Sequence, residues 1–275
     1  MNRYLGIDFS GGAGPWKVKC KKPTVWIATV QQANAYILSD LRPVQELEGS
    51  GEPFERLVNF LKLGNFAAAA IDAPFALPAR HMPNVSYLQF LKEIRVLPHG
   101  LDRPFPRGAT LVTLGELAAA KTSSKPYRAT EKHWIDRGVN TRSTMWNGPR
   151  GGAPFTAACL SLLSRIERPI WPWHPASTGM LVEAFPSAQL RFWGLPHQGY
   201  TGNQGTTIRQ KIIEFISSIV KLDVSSRNKM LNSPDALDAV ICCFAAIAVS
   251  TEQFELVPHN CEDGMIAVLK STKLF

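Results

Sequence analysis

A chain of 275 residues that is 45% hydrophobic, with 20 glycines and 20 prolines, is typical of a soluble globular protein with many turns. This length suffices to bury a core without disulfide bonds, and the five cysteines lack the spacing of a metal site, which disfavours a zinc protein. The longest apolar run, residues 239–249, is too short to span a bilayer, and the first residues lack the shape of a signal peptide, so we expect a cytoplasmic protein without a membrane segment.

The first predicted elements form an antiparallel meander of three strands. Residues 3–9 alternate between apolar side chains on one face and a second set that includes Asp8 on the other. The glycine-rich loop at residues 10–15 is interpreted as a tight hairpin turn. Residues 24–30 and 35–38 supply the second and third strands. A charged Asp8 on this buried first strand requires a partner elsewhere in the chain.

Helices alternate with further strands in the rest of the chain. The predicted helices are 52–63, 85–96, 153–166, one after Pro186, 206–220 and 233–249, and the predicted strands are 66–73, 180–185, 254–257 and 265–269. This order predicts an α/β fold whose mixed central sheet, an antiparallel meander plus parallel strands, is flanked by helices. We expect a single domain over residues 1–275, with an irregular insertion at about residues 97–150 that holds at most one helix, near residues 114–121.

The insertion is the most basic part of the chain. Ten basic and four acidic residues lie between Arg95 and Arg150, which gives this segment +6 of the net charge of +8, and aromatic residues are interleaved with them. Basic side chains neutralise phosphates and aromatic rings stack on unpaired bases, so the segment is a candidate nucleic-acid-binding surface. The alternative is a solvated loop kept for solubility. The residues predicted to contact nucleic acid are Arg103, Arg107, Lys125, Arg128, Lys132, Arg137 and Arg142.

Acidic residues recur at positions that adjoin the predicted core. Asp72 ends a buried strand, where α/β sheets place their ligands, and Glu183 lies in another short buried strand. In the last helix, Asp235 and Asp238 continue the apolar stripe instead of facing water. Each has an alternative role: Asp72 can cap a turn, Asp235 can favour the helix dipole, and Glu183 can pair with an arginine of the insertion.

Several carboxylates gathered at one place repel each other, and folding tolerates them only with a cation. Mg²⁺ or Mn²⁺ is the expected cation because both prefer oxygen ligands and no histidine or cysteine cluster competes. Two such ions, about 4 Å apart, clamp the attacking water and the leaving oxygen of a phosphodiester. The predicted metal ligands are Asp8, Asp72, Glu183, Asp235 and Asp238, and all except Asp235 are predicted to be catalytic.

Four short motifs resemble those of a family described as predicted RNase H-like nucleases (domain of unknown function 429). They are Gly6-Ile7-Asp8-Phe9-Ser10, Ala70-Ile71-Asp72-Ala73-Pro74, Val182-Glu183-Ala184-Phe185-Pro186 and Asp235-Ala236-Leu237-Asp238-Ala239, with further likeness at Trp171-Pro172-Trp173 and Glu262-Asp263-Gly264-Met265-Ile266. The acidic pair of the last helix is also similar to that of bacterial Holliday-junction resolvases. Arg128-Ala129-Thr130-Glu131 resembles an Arg-x-x-acid element common in the family, with a salt bridge as its alternative role.

The resemblance implies an RNase H-like fold and a function. Asp8 would bridge two metal ions, Asp72 and Glu183 would each hold one, and Asp238 with Asp235 would complete the site. The expected protein is a metal-dependent nuclease that acts on DNA or RNA.

Two alternatives remain. An actin-like or kinase-type nucleotide phosphotransferase would use the glycine loop at residues 10–14 to cradle phosphate. A catalytically inactive nucleic-acid-binding protein would need the basic insertion but not the carboxylates.

Overall fold

The computed structural model describes residues 1–119, 126–256 and 261–271 of the chain. Its centre is a six-stranded mixed sheet in the order β5-β4-β1-β2-β3-β6. The strands are β1 (Asn2–Asp8), β2 (Trp26–Gln32), β3 (Tyr36–Pro43), β4 (Ala68–Asp72), β5 (Met180–Glu183) and β6 (Val220–Lys221). β1, β2 and β3 pair antiparallel, whereas β4, β5 and β6 join parallel to their neighbours. The predicted mixed α/β architecture is therefore confirmed.

Helices cover both faces of this sheet. They are α1 (Pro53–Lys62), α2 (Tyr87–Arg95), α3 (Gly108–Ala118), α4 (Ala129–Ile135), α5 (Ala153–Ile166), α6 (Pro186–Phe192), α7 (Thr206–Ser217), α8 (Val224–Asn232) and α9 (Pro234–Ser250). Successive side chains of β1 enter different cores, as the pleat of a strand requires. Tyr4 packs with α7 and α9, whereas Leu5 and Ile7 pack with α1 and α5 on the opposite face.

Several predicted elements differ from those observed. The helix expected over 206–220 ends at Ser217, and Val220–Lys221 forms β6 instead. α8 was not predicted, and the helix expected near 114–121 is α3, six residues earlier in its start. Of the two C-terminal strands, the described parts meet only in one antiparallel bridge between Phe254 and Leu269.

The interpretation of the glycine loop as a tight hairpin is wrong. β1 ends at Asp8 and β2 begins at Trp26, and the long connection between them contains a short 3₁₀ helix at Gly14–Trp16. A Cβ on Gly11 would come within 2.5 Å of the backbone nitrogen of Phe155 at the start of α5. Glycine at this position therefore permits a close contact with α5.

The predicted irregular insertion contains α3 and α4, and α3 packs against α5. No helix among the described residues is by itself both long and apolar enough to cross a membrane, and α8 with α9 reach that length only together, across a bend of 115°. α9 is almost entirely buried against the sheet.

Candidate metal centre

Two neighbouring parallel strands place two carboxylates side by side. β1 and β4 pair in a register that sets Asp8 opposite Asp72, and each aspartate is the last residue of its strand. The carboxyl ends of both strands therefore meet at one edge of the sheet, where α/β proteins bind ligands. Both residues were predicted as metal ligands from the sequence, and the strand register explains why they lie side by side.

The last helix brings a third carboxylate to the same edge. Ser233 caps α9 by accepting a hydrogen bond of 3.2 Å from the backbone N–H of Ala236, and Asp238 follows one turn into the helix. α9 lies unusually close to β1: a Cβ on Gly6 would sit 2.0 Å from the carbonyl oxygen of Ala239 and 2.5 Å from the nitrogen of Cys243. Gly6 therefore provides clearance for this helix, because any larger residue would push α9, and Asp238 with it, away from Asp8.

Asp8, Asp72 and Asp238 converge as a triad. Each offers one carboxylate oxygen, and these oxygens all lie within 4.8 Å of one another. Asp8 is buried, with 8% of its surface exposed, while Asp72 and Asp238 are half-buried. The phenol of Tyr200 donates a hydrogen bond of 2.9 Å to Oδ1 of Asp238 and so orients that carboxylate. Tyr200 lies in a loop before α7, and no sequence motif marked it.

Burial and mutual repulsion raise the pKa values of the triad. The pKa of Asp8 is well above its ordinary value because the group is desolvated and because Asp238, Asp72 and the nearby Asp235 are negative. Burial raises the pKa of Asp72 to about 7, while Arg142 opposes the shift and Glu183 adds to it. The pKa of Asp238 is also well above its ordinary value, through burial and the charge of Asp72. Burial and shared negative charge therefore disfavour full ionisation of the triad.

The triad suits a hard divalent cation. Its donors are carboxylate oxygens, which Mg²⁺ and Mn²⁺ prefer over the nitrogen and sulfur ligands of zinc or copper sites. A bound cation relieves the repulsion that raises these pKa values. Asp235 is half-buried one turn earlier on α9, and burial raises its pKa to about 6, so it adds negative charge beside the triad. The residues present thus fit the predicted metal.

Glu183, the fifth predicted ligand, has a different partner. Arg128 grips its carboxylate with two hydrogen bonds, 2.7 Å from Nη1 to Oε2 and 2.5 Å from Nη2 to Oε1. The backbone N–H of Phe75 donates a third bond of 2.9 Å to Oε2. Both Glu183 and Arg128 are almost fully buried. The structure therefore realises the alternative of a salt bridge to the insertion and does not bring Glu183 into the triad.

Arg128 and Glu131 form the centre of this second acidic group. Arg128 is the N-cap residue of α4, and its backbone N–H and its Nε donate to the two carboxylate oxygens of Glu131, both at 3.0 Å. Burial raises the pKa of Glu131 to about 7, against the opposing effect of Arg128. With 1% of its surface exposed, Arg128 cannot act as the surface phosphate contact that the sequence predicted. The Arg-x-x-acid element is here a buried ion pair.

The other predicted nucleic-acid contacts occupy varied surroundings. Arg103 pairs with Asp102 at 2.8 Å, and Arg107, Lys132, Arg137 and Arg142 are exposed. Lys125 lies outside the described residues. Arg142 is the exposed member that reaches the metal centre, since it lines the same cleft as the triad and lowers the pKa of Asp72.

The triad opens into a cleft of about 400 Å³. The polar residues that line it include Ser10, Thr24, Asn140, Thr141, Ser187 and Thr201. Just before Thr24, the exposed residues Lys17, Lys19, Lys21 and Lys22 form a basic run, which is evident in the sequence but is not among the predicted nucleic-acid contacts. The cleft thus combines three converging carboxylates with the exposed guanidinium of Arg142.

Comparison with known proteins gives one match. A family model described as a protein of unknown function (DUF429) matches residues 6–263, which includes every residue of the triad. Neither the curated proteins nor the solved structures contain a match to the chain.

Proposed function

Because the chain belongs to the DUF429 family, whose description assigns no activity, we propose from its site that the protein is a metal-dependent phosphodiester hydrolase acting on DNA or RNA. The observation that carries the proposal is the convergence of Asp8, Asp72 and Asp238, whose carboxylate oxygens lie within 4.8 Å of one another. The proposal includes an RNase H-like fold. It is supported by the order of the sheet, in which an antiparallel meander continues through β1 into parallel strands β4 and β5.

The residues of the cleft divide the work between cation and substrate. Asp8, Asp72 and Asp238 would hold the cation, which when bound lowers the pKa of a water molecule and stabilises negative charge on a phosphate. Tyr200 fixes the orientation of Asp238 through its hydrogen bond. Arg142 stands beside Asp72 at the exposed side of the cleft, where its guanidinium can pair with a phosphate of the nucleic-acid backbone.

The proposal is tested by cleavage of a panel of single-stranded, duplex and branched DNA and RNA substrates. We expect hydrolysis that depends on Mg²⁺ or Mn²⁺ and that falls by at least about 10³-fold in Asp8→Asn, because the amide cannot replace a charged ligand. Asp40→Asn is the matched control, since this half-exposed aspartate pairs with Arg42 and leaves the triad intact. Equal cleavage by the wild type and Asp8→Asn would exclude the proposed site.

Substrate binding can be tested separately from cleavage. Without divalent metal, Arg142→Gln should weaken binding of a fluorescent oligonucleotide and reduce the slope of log affinity against log salt by about 1, as expected for one lost phosphate contact. Arg95→Gln removes the same charge from an exposed pair with Glu167 and is the control. An unchanged salt slope in Arg142→Gln would show that this arginine does not contact the nucleic-acid backbone.

A further inference from the structure

The carboxylate of Glu183 is occupied by donors from the chain itself. Its Oε1 accepts from Arg128, and its Oε2 accepts from both Arg128 and the backbone of Phe75. A cation bound directly to a carboxylate oxygen lies about 2.1 Å from it. With Nη2 of Arg128 only 2.5 Å from Oε1, such a cation would sit within about 4.6 Å of a guanidinium nitrogen. The two like charges would repel each other at that separation.

Arg128 is also held too firmly to move aside. Four hydrogen bonds use four of its five N–H groups: two reach Glu183, one reaches Glu131, and one of 3.3 Å from Nη1 reaches the carbonyl oxygen of Asp263. Gly264 follows Asp263 with φ +85°, and a Cβ built on it would come within 3.4 Å of Nη1 of Arg128. The C-terminal segment therefore closes over the guanidinium.

The same segment is fastened at further points on α4 and β5. Oδ2 of Asp263 accepts a bond of 3.1 Å from the N–H of Ala129, and Thr130 accepts one of 3.0 Å from the N–H of Ile266. The N–H of Ala267 donates to the carbonyl oxygen of Glu183 at 3.0 Å. Displacing Arg128 from Glu183 would require these contacts to break together, so the ion pair is a fixed part of the cleft wall.

Two groups of carboxylates thus line the cleft, and the chain itself supplies a positive charge to one of them, the group that contains Glu183. We infer that the site takes a single divalent ion on Asp8, Asp72 and Asp238, and that the Arg128 guanidinium provides the second positive charge, beside Glu183. This inference rests on the proposed function and replaces the pair of ions expected from the sequence. Arg128 and Glu183 are then positioning residues: they line the cleft with the triad and fix its charge without holding the metal.

Counting the bound ions in the full-length protein tests this inference. The metal-free chain is titrated with Mn²⁺ by isothermal calorimetry, and the bound ion is examined by electron paramagnetic resonance. We expect about one ion per chain and a hyperfine pattern without exchange coupling. Asp238→Asn should weaken binding by at least about 100-fold, whereas Glu183→Gln, which removes no ligand, should lose clearly less affinity and still bind about one ion per chain. Asp136→Asn, on the exposed end of α4, is the matched surface control.

Each outcome separates this inference from the proposed function. Two ions per wild-type chain, or an exchange-coupled spectrum, would overturn the single-ion site while leaving a metal-dependent hydrolase in place. Loss of Mn²⁺ affinity in Glu183→Gln as large as in Asp238→Asn would also overturn it. Absence of any binding would overturn both. If Glu183→Gln does not fold, as judged by circular dichroism, the wild-type stoichiometry and spectrum still decide the question.

Discussion

Two groups of buried carboxylates share one cleft and differ in how their charge is balanced. Glu183 and Glu131 both accept hydrogen bonds from the guanidinium of Arg128, so the chain itself supplies one positive charge to these two carboxylates. Within the described residues, no ion pair joins Asp8, Asp72 or Asp238 to a basic side chain. The Arg128 group therefore contains its own counter-ion, whereas the triad is where the proposed cation would bind.

An acidic residue at the end of a buried strand is therefore not necessarily available as a metal ligand. β4 and β5 are adjacent and parallel, and Asp72 and Glu183 end them. The two acids nevertheless differ in their partners, because only Glu183 of the two accepts hydrogen bonds from Arg128. We therefore expect that removing a charged side chain lowers the stability of the protein in the Arg128 group and raises it in the metal-free triad.

The largest effect is expected from Arg128→Met. Removing one partner of a buried ion pair leaves uncompensated charge in a low-dielectric interior, which costs about 3–5 kcal/mol. Here the change strands both Glu183 and Glu131. Denaturant unfolding at pH 7 should show this loss in the free energy of unfolding. Arg95→Met is the matched control, since its bridge to Glu167 is exposed and should contribute less than about 1 kcal/mol. Similar losses in the two variants would show that the Arg128 group is not the fixed unit described above.

Asp72→Asn should have the opposite sign in the metal-free protein. In the unfolded chain Asp72 loses its proton near its ordinary pKa of 3.8, while in the folded protein the pKa is about 7. The folded state therefore binds the extra proton between these values, and wild-type stability falls as pH rises through about 4 to 7. At about 1.4 kcal/mol per pKa unit, the penalty at pH 8 is about 4 kcal/mol at most. The asparagine variant should be more stable by up to this amount at pH 8 and equal to the wild type near pH 4.

The measurement is denaturant unfolding in a chelator at several pH values, with the difference between variant and wild type plotted against pH. Subtracting the wild-type curve removes the contributions of titrating groups that are distant from Asp72. The charged groups that act on Asp72 electrostatically are Asp8, Asp238, Glu183 and Arg142. Asp40→Asn removes a carboxylate from a half-exposed pair with Arg42, outside the triad, and is the control. If the stability difference between Asp72→Asn and the wild type did not change with pH, the carboxylate of Asp72 would not be destabilised by its burial in the triad.

Much of the fold was predictable because its main elements have strong local patterns. α5 was predicted with its observed ends, 153–166, and the alternation of β1 correctly divided its side chains between two cores. β6 has only two residues, too few to show any periodicity, and α8 has little apolar stripe because most of its residues are polar. These two elements depend on tertiary contacts that the sequence pattern does not display.

The site was predictable to a similar degree. The three triad acids could be found because strand ends and a small-residue helix face place them near one another. The role of Glu183 could not be decided, because its partner Arg128 lies 55 residues away in a segment with weak pattern. Tyr200 gave no signal at all, since a tyrosine in an irregular loop shares no spacing with the aspartate it contacts.

Tyr200→Phe is expected to have the smallest effect. It tests how the triad and the Arg128 group each fix the orientation of their carboxylates. Glu183 is fixed by an ionic partner, whereas Asp238 relies on one neutral phenol at 2.9 Å. This hydrogen bond favours the charged carboxylate and so lowers the pKa of Asp238 against the larger effect of burial. Without it the pKa rises further, and a metal ion must displace a more tightly held proton.

We expect about 10-fold weaker Mn²⁺ binding at pH 7 by calorimetry in Tyr200→Phe, with the loss of affinity narrowing as pH rises. Tyr4→Phe is the control, because this buried phenol bonds Gln32 at the opposite end of β1. A deficit in Tyr200→Phe that stays constant with pH would indicate that the phenol only packs against α9 and does not tune the charge of Asp238.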